Sequence, residues 1–388
     1  MEIREAADLN IRKCSLLRSE VKSFSGFGVK TAKSAGSQKT TGIRSAACSM
    51  ASNYLTENRK VGLLNIGNTC YMNSVMQCLN SVTSLVGYFK DSGHYKDINP
   101  KSKHGGSFAR EVGAALEQMN KGSSPVSLHN LKAAAGKLHH PFGGFAQQDS
   151  HEFLLLMLNW LHEDLGGGTI SLPLSNNPKY SKPDSLLQGI NQYSIMCSAC
   201  YYESISFEAF TIMSLSIPSS GRCTLQGLLK TAYETSYIDY KCPQCSTQGL
   251  CTQRSEIRKL PSMLILHLKR FDNSSRKKEN EIEFPLVNLN LSAHIKQNEN
   301  IVASFNLCSV TNHYGTLAAG HYTSLCRSLD QDTWFKCDDQ NVTKTRMSGT
   351  SNAAYMLFYE MSIKDNAVPL GQERILRPLT ARPVSRSR

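Results

Sequence analysis

Apolar residues recur along this chain with two periods, and the change from one to the other divides it. From Cys70 onward, Met72, Val75, Met76, Leu79 and Val82 follow helical spacing with one buried face. Phe108, Val112, Ala115, Leu116 and Met119 repeat that spacing, with Ser107 as the expected cap. A shorter helix is expected after Ser127, through Leu128 and Leu131. Leu154, Met157, Leu158, Leu161 and Leu165 form a further stripe, which Gly166-Gly167-Gly168 ends. Asp149 and Glu152 at its start have the spacing of a capping box. Beyond a Ser/Pro/Asn/Lys-rich connector at 169–185 the period becomes two. Strands are predicted at Tyr193–Met196, Phe207–Phe210, Met213–Ile217 and Phe305–Val310, with a buried strand at Leu264–Phe271 that contains His267. Asp272 to Glu281 reads as a solvated loop.

Reactive groups sit at the seams of this pattern. Gly67-Asn68 is a turn signal, and Asn68 or Thr69 is placed to cap the helix that Cys70 begins. Free N–H groups and the positive end of the helix dipole there favour a thiolate. The same position also suits a small buried apolar residue. Cys197-Ser198-Ala199-Cys200 and Cys242-Pro243-Gln244-Cys245 form two Cys-x-x-Cys knuckles, a set of four thiolates for one tetrahedral zinc. Four protein ligands leave no open position, so the ion would be structural. Two histidines compete as a general base. His313 lies in the Gly-bounded stretch Asn312–Gly315, whereas His321 follows Gly320 and opens an alternating strand.

Composition narrows the class. The chain has 388 residues, 40% hydrophobic and 19% charged, as in a soluble globular protein, with no apolar run of membrane-spanning length. Met-Glu-Ile-Arg-Glu lacks a basic region followed by an apolar stretch, and 13 scattered cysteines point to reduced thiols and metal rather than disulfides. A cytoplasmic or nuclear location is therefore expected. The net charge of +12 lies mostly in the ends: residues 1–50 hold nine Lys/Arg against four Asp/Glu, and residues 364–388 hold six against two. Residues 51–363 keep only +3, which argues against a nucleic-acid-binding core. Residues 1–58 and 364–388 are expected to be basic disordered arms around one domain at 59–363.

Gly62 to Ser74, with Gln77 and Leu79, resembles the Cys box of the ubiquitin-specific proteases, a family of deubiquitinating cysteine proteases. Gln147-Gln148-Asp149 through Glu152-Phe153 is similar to the family's Gln-Gln-Asp box, Gly320-His321-Tyr322 to its His box, and Asp338 to its third residue. The family usually has Phe where Cys337 stands, and Ala354 to Glu360 looks like its closing strand. The resemblance covers about residues 60–361. It implies an α+β, papain-like cysteine protease core with a helical thumb, a β-rich palm and zinc-ribbon fingers at about 190–256. It also implies a nucleophile at Cys70, a base at His321 and not His313, an orienting acid at Asp338 with possible support from Asp339, and an oxyanion donor at Asn65. Such a donor lowers the barrier by about 3 kcal/mol. Asp149 and Glu152 would face the substrate's tail with capping and binding on different oxygens, while Gln148, Gly320 and Tyr322 would line its channel. The partners implied are ubiquitin and ubiquitinated proteins, with no catalytic cofactor and no membrane insertion. The alternatives are a non-catalytic ubiquitin-binding scaffold and a protease for a ubiquitin-like modifier.

Overall fold

Ten consecutive residues buried on every side make the first helix the axis of the fold. In the computed structural model, which describes residues 60–90, 93–122, 124–166, 186–296, 304–316, 319–329 and 333–362, α1 spans Cys70–Leu79 and none of its residues is exposed. A helix apolar on one face only would be covered on one side; this one lies between helices and sheet. The thumb helices follow: α2 (Thr83–Lys90), α3 (Gly93–Asp97), α4 (Ser107–Lys121), α5 (His129–Leu138) and α6 (Ser150–Asp164). The arms expected at 1–58 and 364–388 and the connector at 169–185 lie outside the described residues.

Caps differ from the local expectation. The N-terminus of α4 is capped by no residue of its own: Asp164, at the far end of α6, accepts from the N–H groups of Phe108 (3.0 Å) and Ala109 (3.1 Å). Ser127 makes no cap for α5, which begins after Leu128. Asp149 does cap α6, taking the His151 N–H at 2.6 Å.

Strands β1 (Gly189–Met196), β2 (Glu203–Phe210) and β3 (Ile212–Ser216) lead to the short β4 (Cys223–Thr224) and helix α7 (Leu225–Ala232). Then come β5 (Ser236–Lys241), β6 (Gln248–Lys259), β7 (Met263–Lys269), β8 (Ile282–Glu283), β9 (Leu289–Asn290) and β10 (Ser304–Gly315). The chain continues through β11 (Gly320–Arg327), β12 (Trp334–Asp338), β13 (Asn341–Thr345), β14 (Thr350–Ser351) and β15 (Ala354–Met361). The palm sheet runs β13-β12-β11-β10-β15-β7-β3, antiparallel except for β3 against β7. The fingers form a separate antiparallel sheet, β2-β1-β6-β5. One core joins α1 and the thumb to one face of the palm, and a second fills the other face beneath α7. Two bonds pin α1 to β10: Cys78 Sγ lies 3.3 Å from Thr311 Oγ1, and Ser309 Oγ donates to Cys78 O at 3.1 Å.

Candidate active site

Cys70 opens α1 as the sequence predicts, but the turn before it is held differently. Thr69 makes no side-chain cap; its hydroxyl accepts from the Ile66 N–H at 3.1 Å. Asn65 shapes the turn instead, its Oδ1 accepting from the N–H groups of Gly67 (3.2 Å) and Thr69 (3.1 Å). The segment is stitched to the β12–β13 turn by the Leu63 N–H on Asp339 O, at 2.9 Å. Gly62 is needed there, since a Cβ at that position would lie 2.1 Å from Gln340 O.

The thiol of Cys70 is buried, and burial pushes its pKa above the ordinary value. The Tyr322 N–H opposes that, and the Asp339 carboxylate adds to it. The thiolate expected from helix position alone is therefore corrected: at the first turn, desolvation of the sulfur outweighs the helix-end donors. Among the described residues no hydrogen bond joins this thiol to the His321 ring.

His321 heads β11, and its Nε2 lies 2.7 Å from Asp338 Oδ1 at the end of β12, leaving Nδ1 available to carry or take a proton. Lys336 Nζ stands 3.7 Å from the other Asp338 oxygen. The competing His313 is not in a turn. It lies within β10, opposite Tyr322, and burial followed by the charge of Lys277 brings its pKa down to about 4. A ring packed against Phe271 and Tyr322, whose burial makes it too weakly basic to hold a proton taken from a thiol, is no general base.

Asp339 takes a different part from the one expected. Its carboxylate comes within 4.8 Å of the His321 and Asp338 ligand atoms, yet its hydrogen bonds go to two amides. Asn65 Nδ2 donates to its Oδ2 at 2.9 Å and Asn73 Nδ2 to its Oδ1 at 2.8 Å. Asn65 is thereby held at both ends of its amide, with one N–H hydrogen left over for an oxyanion. Asn73 escaped the sequence reading, although a polar residue inside a buried helix was its available signal.

The predicted channel residues separate. Glu152 is exposed. Asp149 uses one oxygen as the cap, and Tyr355 OH donates to the other at 2.6 Å, so the oxygen expected to face the substrate already has one partner. Gln148 Nε2 donates to Pro141 O at 3.2 Å. Tyr322 turns its ring into the core, near His313 and Tyr355, and offers the site only its main chain. The Gly320 N–H is taken by Gln147 Oε1 at 2.7 Å, a contact the sequence did not suggest. His151 and His267 stack at 3.8 Å on the far side of Tyr355, a packing role for both.

Away from this cleft, the Sγ atoms of Cys197, Cys200, Cys242 and Cys245 all lie within 4.8 Å of one another. Cys197 to Cys245 is 3.8 Å and Cys200 to Cys242 is 3.7 Å, too long for disulfides. They match the ~3.8 Å between sulfurs on a tetrahedron with ligand bonds of about 2.3 Å. The knuckles are built alike. In each, the first cysteine's carbonyl accepts from the residue four positions on, Tyr201 or Ser246, which has φ of 58°. The four cysteines are thus arranged to hold a zinc ion. Cys251, given no role by the sequence, packs with Ile195 and Tyr240 against Cys197 and Cys242.

Comparison with known proteins places this arrangement. Residues 61–359 match the family described as ubiquitin carboxyl-terminal hydrolase. The chain is 30% identical over 375 residues to ubiquitin carboxyl-terminal hydrolase Usp2 of Drosophila melanogaster, covering 89% of this chain and 38% of that protein. It is 32% identical over 336 residues to ubiquitin carboxyl-terminal hydrolase 2 of Homo sapiens, covering 78% of this chain and 55% of that one. The chain thus spans about half or less of these relatives' length. Among solved structures, the SAGA Ubp8/Sgf11/Sus1/Sgf73 DUB module bound to ubiquitin aldehyde is similar, with a TM-score of 0.67 and 25% identity. That match covers 82% of this chain and 73% of the other.

Proposed function

The chain belongs to the ubiquitin carboxyl-terminal hydrolase family, and from that premise we propose that it is a thiol-dependent deubiquitinase cutting the peptide or isopeptide bond after ubiquitin's C-terminal glycine. The observation that carries the reading is the His321 Nε2–Asp338 Oδ1 pair at 2.7 Å on the strand whose next residue, Tyr322, turns its N–H to the Cys70 thiol.

Each step has a residue. His321 Nδ1 takes the Cys70 proton, and the thiolate attacks the glycine carbonyl carbon. The spare Asn65 N–H and the Cys70 backbone N–H receive the oxyanion. Collapse breaks the C–N bond, and the imidazolium returns its proton to the departing amine. Water, deprotonated by His321, then hydrolyses the thioester and frees ubiquitin and the thiol. Asp338 holds the ring throughout. Glu152 faces the arginines of the ubiquitin tail. One structural zinc on Cys197, Cys200, Cys242 and Cys245 holds the ends of the fingers together and takes no part in the chemistry.

The fingers supply the grip on ubiquitin's body. Met196, Thr252 and Tyr237 are opposed in register across β1, β6 and β5, Ile205 opposes Ser194, and Leu250 lies two residues from Thr252. All therefore share one face of the sheet, opposite the cysteine cluster. Tyr237 (69%) and Leu250 (62%) are largely exposed there, an unusual density of bare apolar surface.

The reading is tested with ubiquitin carrying a C-terminal fluorophore, beside a short Gly-Gly peptide and a ubiquitin-like modifier bearing the same group. Full ubiquitin is expected to be cleaved far faster than the peptide. Leu250→Asp is expected to raise KM about tenfold, the loss of ~1.4 kcal/mol of binding, with kcat little changed. Tight ubiquitin binding with no turnover would show a scaffold instead, and preference for the other modifier would reassign the substrate.

A further inference from the structure

The six residues Gly143 to Gln148 touch both halves of the cleft. At its near end the loop is fixed by Phe142, which is buried and stacks on Tyr71 of α1 at 5.8 Å. At its far end it is fixed by Asp149, which caps α6 and accepts from Tyr355 OH. Between these anchors, Phe145 O accepts from Asn68 Nδ2 at 2.8 Å. The Phe145 ring lies over Gly67, where a Cβ would come 2.3 Å from Cδ1, and Gly67 has φ of +103°, so a side chain there is excluded twice. Lys132 Nζ stands 4.5 Å from the ring centroid. Two residues further on, Gln147 Oε1 accepts from the Gly320 N–H at 2.7 Å.

Asn68 stands two residues before Cys70 and Gly320 one residue before His321. From this geometry we propose that the 143–148 loop is a clamp across the thumb–palm seam. In it Gln147, through Gly320, is a positioning residue that holds the His321 strand at its working distance from Cys70. The proposal rests on the deubiquitinase reading and adds to it a residue that touches neither the nucleophile nor the base. Gln147 is an acceptor here, through its side-chain oxygen, and a carboxylate of the same length preserves that function. The Tyr322 N–H that faces the Cys70 thiol is two residues beyond the clamped Gly320, so release of the clamp also withdraws a donor from the sulfur. Small displacements matter: a misplacement of about 1 Å between reacting groups costs ~10²-fold in rate.

The test compares Gln147→Ala and Gln147→Glu with the wild-type chain in two assays. In steady-state hydrolysis of the ubiquitin–fluorophore conjugate, Gln147→Ala is expected to lower kcat about tenfold with KM within about twofold, and Gln147→Glu to recover at least half of the loss. In iodoacetamide alkylation of Cys70 without ubiquitin, the pH midpoint is expected to rise in Gln147→Ala and to return in Gln147→Glu. A change in KM alone would make Gln147 a substrate contact, and a rise in kcat would make the loop a latch that substrate must open. Either result overturns the clamp, as does an unchanged alkylation midpoint. A wild-type chain that fails to cleave ubiquitin sinks the proposed function separately, and the alkylation profile then decides the clamp by itself.

Discussion

Cys70→Ala and His321→Ala are each expected to reduce hydrolysis of the ubiquitin–fluorophore conjugate by roughly 10⁴-fold or more, while ubiquitin is still bound. The loss is large because the two groups act as one unit. Without the imidazole, a thiol whose burial holds it protonated has no acceptor for its proton, and without the sulfur there is no thioester. Asp338→Asn is the finer member of the series. It retains the size and a hydrogen bond to Nε2 but can favour the wrong tautomer, so a fall of about 10²–10⁴ in kcat is expected. Ubiquitin bearing a C-terminal electrophile should form one adduct, on Cys70, in the wild type and none in Cys70→Ala. Activity that survives His321→Ala and disappears in His313→Ala would reverse the assignment of the base, against the burial that makes His313 a poor holder of a proton.

Removal of a zinc held by the four cysteines is expected to weaken the proposed grip on ubiquitin. The end of the fingers has almost no core beyond Cys197, Cys242 and Cys251 with Ile195 and Tyr240 around them. Structural zinc in comparable small sites contributes on the order of 10 kcal/mol of folding free energy, far more than those few side chains provide. Cys242→Ser, or a strong chelator, is therefore expected to release one zinc per chain, open the 190–256 region to proteolysis and raise KM by at least about tenfold. Thumb and palm have their own cores, so Cys70 should stay in folded surroundings. A zinc-free Cys242→Ser protein with unchanged proteolysis and unchanged KM would show that the fingers stand without the ion.

The exposed face on β1, β2, β5 and β6 links the Cys242→Ser and Leu250→Asp experiments. It lies on the side of the sheet away from the cysteine cluster, so a zinc held by the four cysteines would support a surface that it does not touch. Leu250→Asp alters that surface with the fold intact, whereas Cys242→Ser removes its support. The two variants should thus agree in KM and differ in protease resistance.

Much of the fold follows from short-range pattern. The stripe from Met72 to Leu79 marks α1, the Asp149–Glu152 spacing marks the start of α6, and the alternation at Tyr193–Met196 marks β1. The two knuckles could be read as one metal site because each Cys-x-x-Cys makes the same local turn, whatever lies between them. Gly320-His321-Tyr322 marks a histidine at the head of a strand. These are properties of neighbours in sequence, where the helical and strand periods act directly.

Local pattern therefore supplies the inventory: one cysteine at a helix start, two histidines, the acids, four knuckle thiols, and the elements that carry them. Long-range packing assigns each group its part. It buried the Cys70 thiol, so that desolvation rather than the helix end sets its protonation. It placed His313 inside β10 and left His321 against Asp338. It gave the Asp339 carboxylate to Asn65 and Asn73, the second Asp149 oxygen to Tyr355, and the Gly320 N–H to Gln147. Those partners lie between 173 and 274 residues apart in the chain. No local period reaches that far, and a charge or hydrogen bond depends on what else the fold packs beside it.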